Sequence, residues 1–187
     1  MRFFMHFLTK VACLCLLSPA LFAETLTLSS QDIEQGKMMA KKQEFVGFGC
    51  KGENLSPQLS WKNAPKGTKS FAVTAYDPDA PTGSGWWHWQ IINIPNTVTT
   101  LAENAGSTDN KNIPKGSLQI ENDYGSQGFG GACPPVGHGQ HRYQFTVYAL
   151  SVEKLELKPT SSAALVGYMI NANKLASSTI EALYERK

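Results

Sequence analysis

Charge is scarce in this 187-residue chain: only 17% of its residues are Asp, Glu, Lys or Arg, against 42% hydrophobic. Its 17 basic side chains barely outnumber the 15 acidic ones, and Arg occurs only as Arg2, Arg142 and Arg186. So weak a field excludes a protein that works through a clustered basic face on nucleic acid. The apolar content likewise excludes a chain too polar to collapse. No apolar run reaches the roughly 20 residues needed to cross the hydrocarbon of a bilayer, so no stable membrane insertion is expected. Internal repeats, low-complexity tracts and the Gly-x-Ser-x-Gly elbow of many hydrolases are missing. Gly47-Phe-Gly49-Cys-Lys-Gly52 has the spacing of a dinucleotide loop. No helix can start cleanly into Glu53-Asn-Leu-Ser-Pro57, however, and no βαβ pattern surrounds it.

What is present begins with a leader. Arg2 and Lys10 precede the apolar stretch Val11–Leu17, and Ser18-Pro-Ala-Leu-Phe-Ala23 follows, with a small residue at the cleavage position. This is the pattern of a cleavable secretory signal over residues 1–23. Lys10 and Pro19 leave too short an interval for an anchor, and Cys13 and Cys15 lack the small-residue context of a lipid-modified cysteine. Residues 24–187 then form one domain, within the usual size of a single core. Because Arg2 and Lys10 leave with the leader, 15 cations face 15 anions and the exported chain is neutral. Export to the periplasm, or beyond it, places Cys50 and Cys133 among oxidants, where an even count favours a disulfide between them.

The domain reads as mainly β. Thr25–Leu28 alternates, and Leu59–Trp61 is a short strand before the turn Ala64-Pro-Lys-Gly67. Ser70–Tyr76, His88–Ile94 and Arg142–Leu150 are longer β runs. Residues 121–140 form a long Gly- and Pro-rich connection of the kind usually kept for function. A helix is expected after Pro159-Thr-Ser-Ser162, with Leu165, Met169, Ala172 and Ala176 at helical spacing. Ser178–Tyr184 alternates again and suits an edge strand.

Two clusters carry chemistry. Tyr76-Asp77-Pro78-Asp79-Ala80-Pro81 follows one strand and Gly85-Trp86-Trp87-His88-Trp89 opens the next. A Pro-rich turn there fixes two carboxylates while aromatic rings wall in an imidazole. Capping Asp residues and a Trp-rich core strand would explain each residue singly, but a core needs a reason to hold Asp, Asp and His beside three Trp. The second cluster, Gly130-Gly-Ala-Cys133-Pro-Pro135 followed by His138 and His141-Arg142-Tyr143, offers loop N–H groups and further imidazoles at a strand start. Arg142 supplies a planar, multi-donor group suited to holding a loop or a carboxylate.

These motifs resemble the signature regions of the phosphatidylethanolamine-binding proteins, also called Raf kinase inhibitor-like proteins. Asp77–Pro81 with Trp86-Trp-His88 and Pro134-Pro135 with Gly139-Gln-His141-Arg-Tyr143 carry the likeness. The fuller stretch Asp77–Trp89 resembles the bacterial YbhB/YbcL branch. The signal peptide, Phe48-Gly-Cys50, Gly130–Pro135 and Ala164–Asn173 resemble its periplasmic members. The resemblance implies a large central antiparallel sheet, a smaller sheet on one side, one or two α-helices on the other, and a small pocket for anions such as phosphate head groups. By position it implies a ligand-binding set of Asp77, Asp79, Pro81, Trp86, His88, Cys133, Pro135, His141 and Tyr143. Eukaryotic members carry a further C-terminal helix at the pocket, whereas Glu185-Arg-Lys187 alone follows the tail strand here, so their lipid and peptide selectivity does not transfer.

The expected mechanism is binding rather than catalysis, with no cofactor, no metal and no catalytic residue. Asp77 would orient or charge His88, and His141 and Tyr143 would donate to a small anionic ligand. A protein partner and a homodimer around Tyr168-Met169 are the further associations this implies. The competing reading is an envelope hydrolase using a metal, or His/Asp pairs drawn from Asp77, Asp79, His88, His138 and His141.

Overall fold

The protein is described here by a computed structural model covering residues 25–187. The expected signal segment, 1–23, lies outside the described residues. The strands, in chain order, are β1 (Thr27–Ser29), β2 (Val46–Gly47), β3 (Cys50–Lys51), β4 (Leu59–Lys62), β5 (Ser70–Asp77), β6 (Trp86–Pro95), β7 (Thr100–Leu101), β8 (Leu118–Gln119), β9 (His141–Leu150) and β10 (Lys174–Tyr184). A five-stranded antiparallel sheet runs β10-β9-β5-β6-β8, a three-stranded sheet runs β1-β4-β7, and β2 and β3 form a separate hairpin. The helix α1 (Ala163–Asn173) leads straight into β10. Among the described residues no helix is long and apolar enough to cross a membrane.

The central strand β5 is buried along nearly its whole length, because both faces of the large sheet are covered. Phe71, Val73 and Ala75 on one face join Tyr143, Phe145, Val147 and Ala149 of β9 in the main core, which the small sheet closes with Leu28, Leu59, Trp61 and Leu101. Ala72 points the other way, into a second core of Ile92, Ile120, Leu150 and Leu155 beneath α1. This is the period-2 geometry of a strand serving two layers.

Two bulges interrupt that alternation in β6. Pairing steps from Phe71 opposite Ile94 to Val73 opposite Ile91, so one extra residue is accommodated at Ile92-Asn93, with Asn93 at φ +60°. Ile91 and Ile94, three apart, therefore both reach the main core. The second bulge is functional and is taken up below.

The helix starts where expected: Ser162 caps it by accepting the Leu165 N–H at 3.3 Å. Its buried stripe, however, is Val166 and Ile170 rather than the expected Leu165 and Met169 register, and Leu165 is 44% exposed. Ala-Ala-Leu-Val-Gly-Tyr-Met-Ile is apolar almost all round, so local pattern cannot choose a face and the packing against Ile92 and Leu150 does. The tail strand lies at the sheet edge as expected but begins earlier, at Lys174, and its outer side is partly covered. Gly36 N–H donates to Glu181 O at 2.7 Å, and the N–H groups of Met39 and Leu183 donate to Leu183 O and Lys37 O at 2.8 Å.

The dinucleotide-like stretch is the β2–β3 hairpin. Phe48 and Gly49 both have positive φ, +50° and +80°, giving the two-residue turn whose twist matches paired strands. Its first residue after the turn, Cys50, is bonded to Cys133 with Cα atoms 5.9 Å apart, as the cysteine count suggested. The bridge spans 83 residues of sequence. Replacing both cysteines by Ser should lower the unfolding free energy by about 3–5 kcal/mol, the range expected for a loop of this size. Denaturant titrations without and with reductant check this: reductant should destabilise the wild type toward the variant and leave the variant unchanged.

Candidate functional site

The site forms where the main core face reaches the end of the large sheet. Val73 and Ala75 are followed on the same face of β5 by Asp77, and Val147 and Phe145 are preceded on β9 by Tyr143 and His141. The apolar stripe thus turns polar at its last residues. Asp77 pairs with Trp86 across β5 and β6, but the register then shifts: Tyr76 lies opposite Trp87 and Ala75 opposite Trp89, which leaves His88 as the bulged residue. That extra residue lets both Trp89 and His88 turn inward, 0% and 2% exposed. Bulges beside binding sites commonly re-aim a side chain in this way.

These residues surround a cavity of roughly 210 Å³ lined by Phe48, Asp77, Ala80, Pro81, Thr82, Trp86, His88, Tyr124, Cys133, Pro134, Pro135, His141 and Tyr143. Eight of the nine residues expected from the resemblance are on this wall. Asp79 is not: its carboxylate accepts the backbone N–H of Arg142 at 2.8 Å and a bidentate pair from the guanidinium, Nε at 2.9 Å and Nη2 at 2.8 Å. It straps the β5–β6 turn to β9, which is the carboxylate-holding role expected of Arg142. The Arg142 hydrogen bonds hold the Asp79 carboxyl below its ordinary value of 3.8, against the upward push of partial burial.

The polar wiring differs from expectation in two respects. Asp77 does not engage His88. Its Oδ2 lies 2.7 Å from His141 Nδ1 and its Oδ1 accepts the Asp79 N–H at 2.8 Å, while His141 Nε2 lies 2.7 Å from His138 Nδ1. Both ring nitrogens of His141 are therefore occupied. The glycine-rich loop, expected to offer free N–H groups, spends them internally. Phe129, Gly130, Gly131 and Ala132 donate to Gly106 O, His88 O, Asn54 Oδ1 and Gln43 O. Its glycines serve close packing instead: a Cβ on Gly130 would stand 2.3 Å from the Tyr124 ring.

His88 is fixed from behind, with Nδ1 2.6 Å from Gly130 O. A carbonyl only accepts, so Nδ1 carries the proton. Burial drives the His88 pKa below its ordinary 6.5, although the Gly130 carbonyl and the Asp77 charge oppose the shift. The ring is accordingly neutral at physiological pH. Its Nε2, the Tyr143 hydroxyl and Trp86 Nε1 are buried without a hydrogen-bond partner among the described residues. Burial, then the nearby Asp77 charge, pushes the Tyr143 hydroxyl pKa upward, so it remains a donor.

Several wall residues were not expected from sequence. Tyr124 stacks on Phe45 at 4.0 Å and meets the Trp86 and His88 rings edge-on at 5.1 and 5.6 Å. Phe48, 75% exposed, stands at the rim. The cysteine pair is a signal that could have found it, since a bond from Cys50 to Cys133 carries the adjacent hairpin tip to the Pro134-Pro135 wall. Ala80, Thr82 and Pro134 flank motif residues. Arg186 holds the wall from outside, donating from Nε to Pro134 O at 2.7 Å. Among the described residues no group of three or more His, Cys, Asp or Glu is placed to hold a metal ion.

A mainly antiparallel fold whose signature loops meet at the strand ends around a small His-, Asp- and aromatic-lined cavity defines a class of binding domain. The chain belongs to the phosphatidylethanolamine-binding protein family, whose model matches residues 29–185. It is 54% identical to the UPF0098 protein YbcL of Escherichia coli K12 over 165 residues, 88% of this chain and 90% of that protein. The UPF0098 protein YbhB of the same organism is 44% identical over 159 residues, 85% and 99% of the two chains. The crystal structure of E. coli YbcL, titled a new member of the mammalian PEBP family, matches with a TM-score of 0.86 over 88% of this chain and all of that one.

The Asp79–Arg142 strap makes acid stability testable. The folded-state carboxyl has the lower pKa, so its contribution is complete above the ordinary value of 3.8 and is lost as pH falls through the depressed one. Asp79→Asn should be less stable than wild type at pH 7, and the gap should close as pH falls below about 4. Melting temperatures across pH 3–7 check this; a gap constant with pH would contradict it.

Proposed function

We propose that this protein is an exported binding protein whose pocket takes a head-group-sized phosphoryl ligand and which acts on a partner rather than by catalysis. The observation that carries the reading is that three residues lining the cavity hold polar atoms, Trp86 Nε1, His88 Nε2 and the Tyr143 hydroxyl, that are buried and without a hydrogen-bond partner among the described residues. Leaving such groups unmatched costs about 1–3 kcal/mol each, and a small polar ligand removes that cost. The volume, roughly 210 Å³, falls below the about 300–1,000 Å³ usual for drug-sized ligands, so it suits a head group and not an acyl chain. Among the described residues, Asp77 is the only Asp, Glu, Lys or Arg on the cavity wall. A phosphoryl group would therefore be held by neutral donors in a site walled by rings and prolines, not by counter-charges. The disulfide Cys50–Cys133 supports an oxidising compartment. Family membership supports binding over hydrolysis.

Calorimetric titration with inorganic phosphate tests this. Wild type should bind, and Tyr143→Phe, which removes one donor and keeps the ring, should weaken binding about tenfold, the worth of a hydrogen bond of about 1–1.5 kcal/mol. Unchanged affinity in Tyr143→Phe and in a folded His88→Ala protein would place any binding elsewhere and overturn the assignment.

A further inference from the structure

We infer that the pocket selects its ligand by protonation state: the bound phosphoryl group must bring an O–H to His88 Nε2 while accepting from the Tyr143 hydroxyl and Trp86 Nε1. The inference rests on the phosphoryl reading above and narrows it. It follows from the way His88 is held. The Gly130 carbonyl at 2.6 Å can only accept, so the single proton of the neutral imidazole is committed to Nδ1. Nε2 is left as a lone pair, buried and without a partner among the described residues. Toward the ligand, then, His88 is an acceptor, and the three unpartnered atoms together present two donors and one acceptor.

An imidazolium at this position would reverse that requirement, and the burial of the ring decides against it even though the groups around it do not. From β5, Asp77 faces it, but that carboxylate is already engaged by His141 and the Asp79 N–H. From β9 come His141 itself and the Tyr143 ring, edge-on at 5.1 Å. From the 121–140 connection come Tyr124 and Asp123, the latter accepting the Trp87 N–H at 2.7 Å. The charges of Asp77 and Asp123 favour an imidazolium, but the 2% exposure of His88 denies it its hydration. Burial outweighs the attraction of Asp77, in agreement with the downward shift of the ring.

A fully ionised oxygen facing Nε2 would set lone pair against lone pair, close to the Asp77 charge. Sulfate and phosphodiesters, the form of phosphorus in a phospholipid head group, have no O–H and are disfavoured. Hydrogen phosphate and a phosphomonoester monoanion have one. The inference therefore favours free phosphate or a monoester over a phosphodiester head group held by its phosphorus.

The experiment is a set of calorimetric titrations of the wild-type protein with inorganic phosphate, sulfate, dimethyl phosphate and methyl phosphate between pH 5.5 and 8.5. Inorganic phosphate, which keeps a proton throughout, should bind across the range. Sulfate and dimethyl phosphate should be weaker by about ten- to a hundredfold, the penalty for leaving a buried acceptor unpaired. Methyl phosphate should bind at pH 5.5 and weaken about tenfold per pH unit above its second pKa near 6. His88→Gln, whose amide can turn a donor toward the ligand, should bring phosphate and sulfate to within about threefold of each other; if that variant does not fold, the wild-type comparison decides alone. Sulfate or dimethyl phosphate matching phosphate in the wild type, with or without proton uptake, overturns the inference, as does methyl phosphate binding that does not fall with pH. Failure of inorganic phosphate to bind at any pH would instead overturn the phosphoryl reading itself.

Discussion

The buried carboxylate of Asp77 is the constraint on which the site depends. At 2% exposure it cannot rely on water, and a buried anion without partners is not tolerated. It is satisfied by His141 Nδ1 from β9 and by the N–H of Asp79 in its own turn. The first bond ties two strand ends together, and the second shapes the Pro-rich turn so that Asp79 can take Arg142. With His141 committed to Asp77 on one side and His138 on the other, the remaining buried imidazole on the cavity wall, His88, is the one with a ring nitrogen unpartnered among the described residues.

That division separates two roles that the residue types alone leave mixed. Asp77, Asp79, His138, His141 and Arg142 form structural wiring between β5, its turn and β9. Trp86, His88 and Tyr143 are the polar wall residues with unspent hydrogen-bonding capacity. The wall around them is held by covalent and polar ties from distant segments: the Cys50–Cys133 bond, the Arg186 contact to Pro134 and the Phe45–Tyr124 stack. Such a site offers rigidity, small size and neutral donors.

Much of the fold is legible in the sequence because it rests on local chemistry. The long strands β5, β6 and β9 announce themselves by β-branched and aromatic runs, the helix by its Ser162 cap, and the disulfide by the two cysteines that follow the expected leader. The dinucleotide-like glycines were recognised as lacking a helix, though the hairpin they build was not anticipated. The buried face of the helix is not legible in the sequence, because the segment is apolar almost all round. Of the site, the motif residues are concentrated in two segments and carry the family resemblance that implies a pocket, whereas Tyr124 and Phe48 lie outside both and enter only through loop packing.

By itself the sequence determined which residue types gather at the strand ends, that residues 24–187 carry 15 cations against 15 anions, and that Cys50 and Cys133 are the two cysteines among them. Those properties follow from composition and order along the chain. The tertiary structure alone decided that Asp77 serves His141 rather than His88, that the glycine-rich loop uses its N–H groups for packing, and that a bulge turns His88 inward. Each is a choice among partners distant in sequence or a shift of strand register by one residue, and local pattern carries no energy that distinguishes the alternatives.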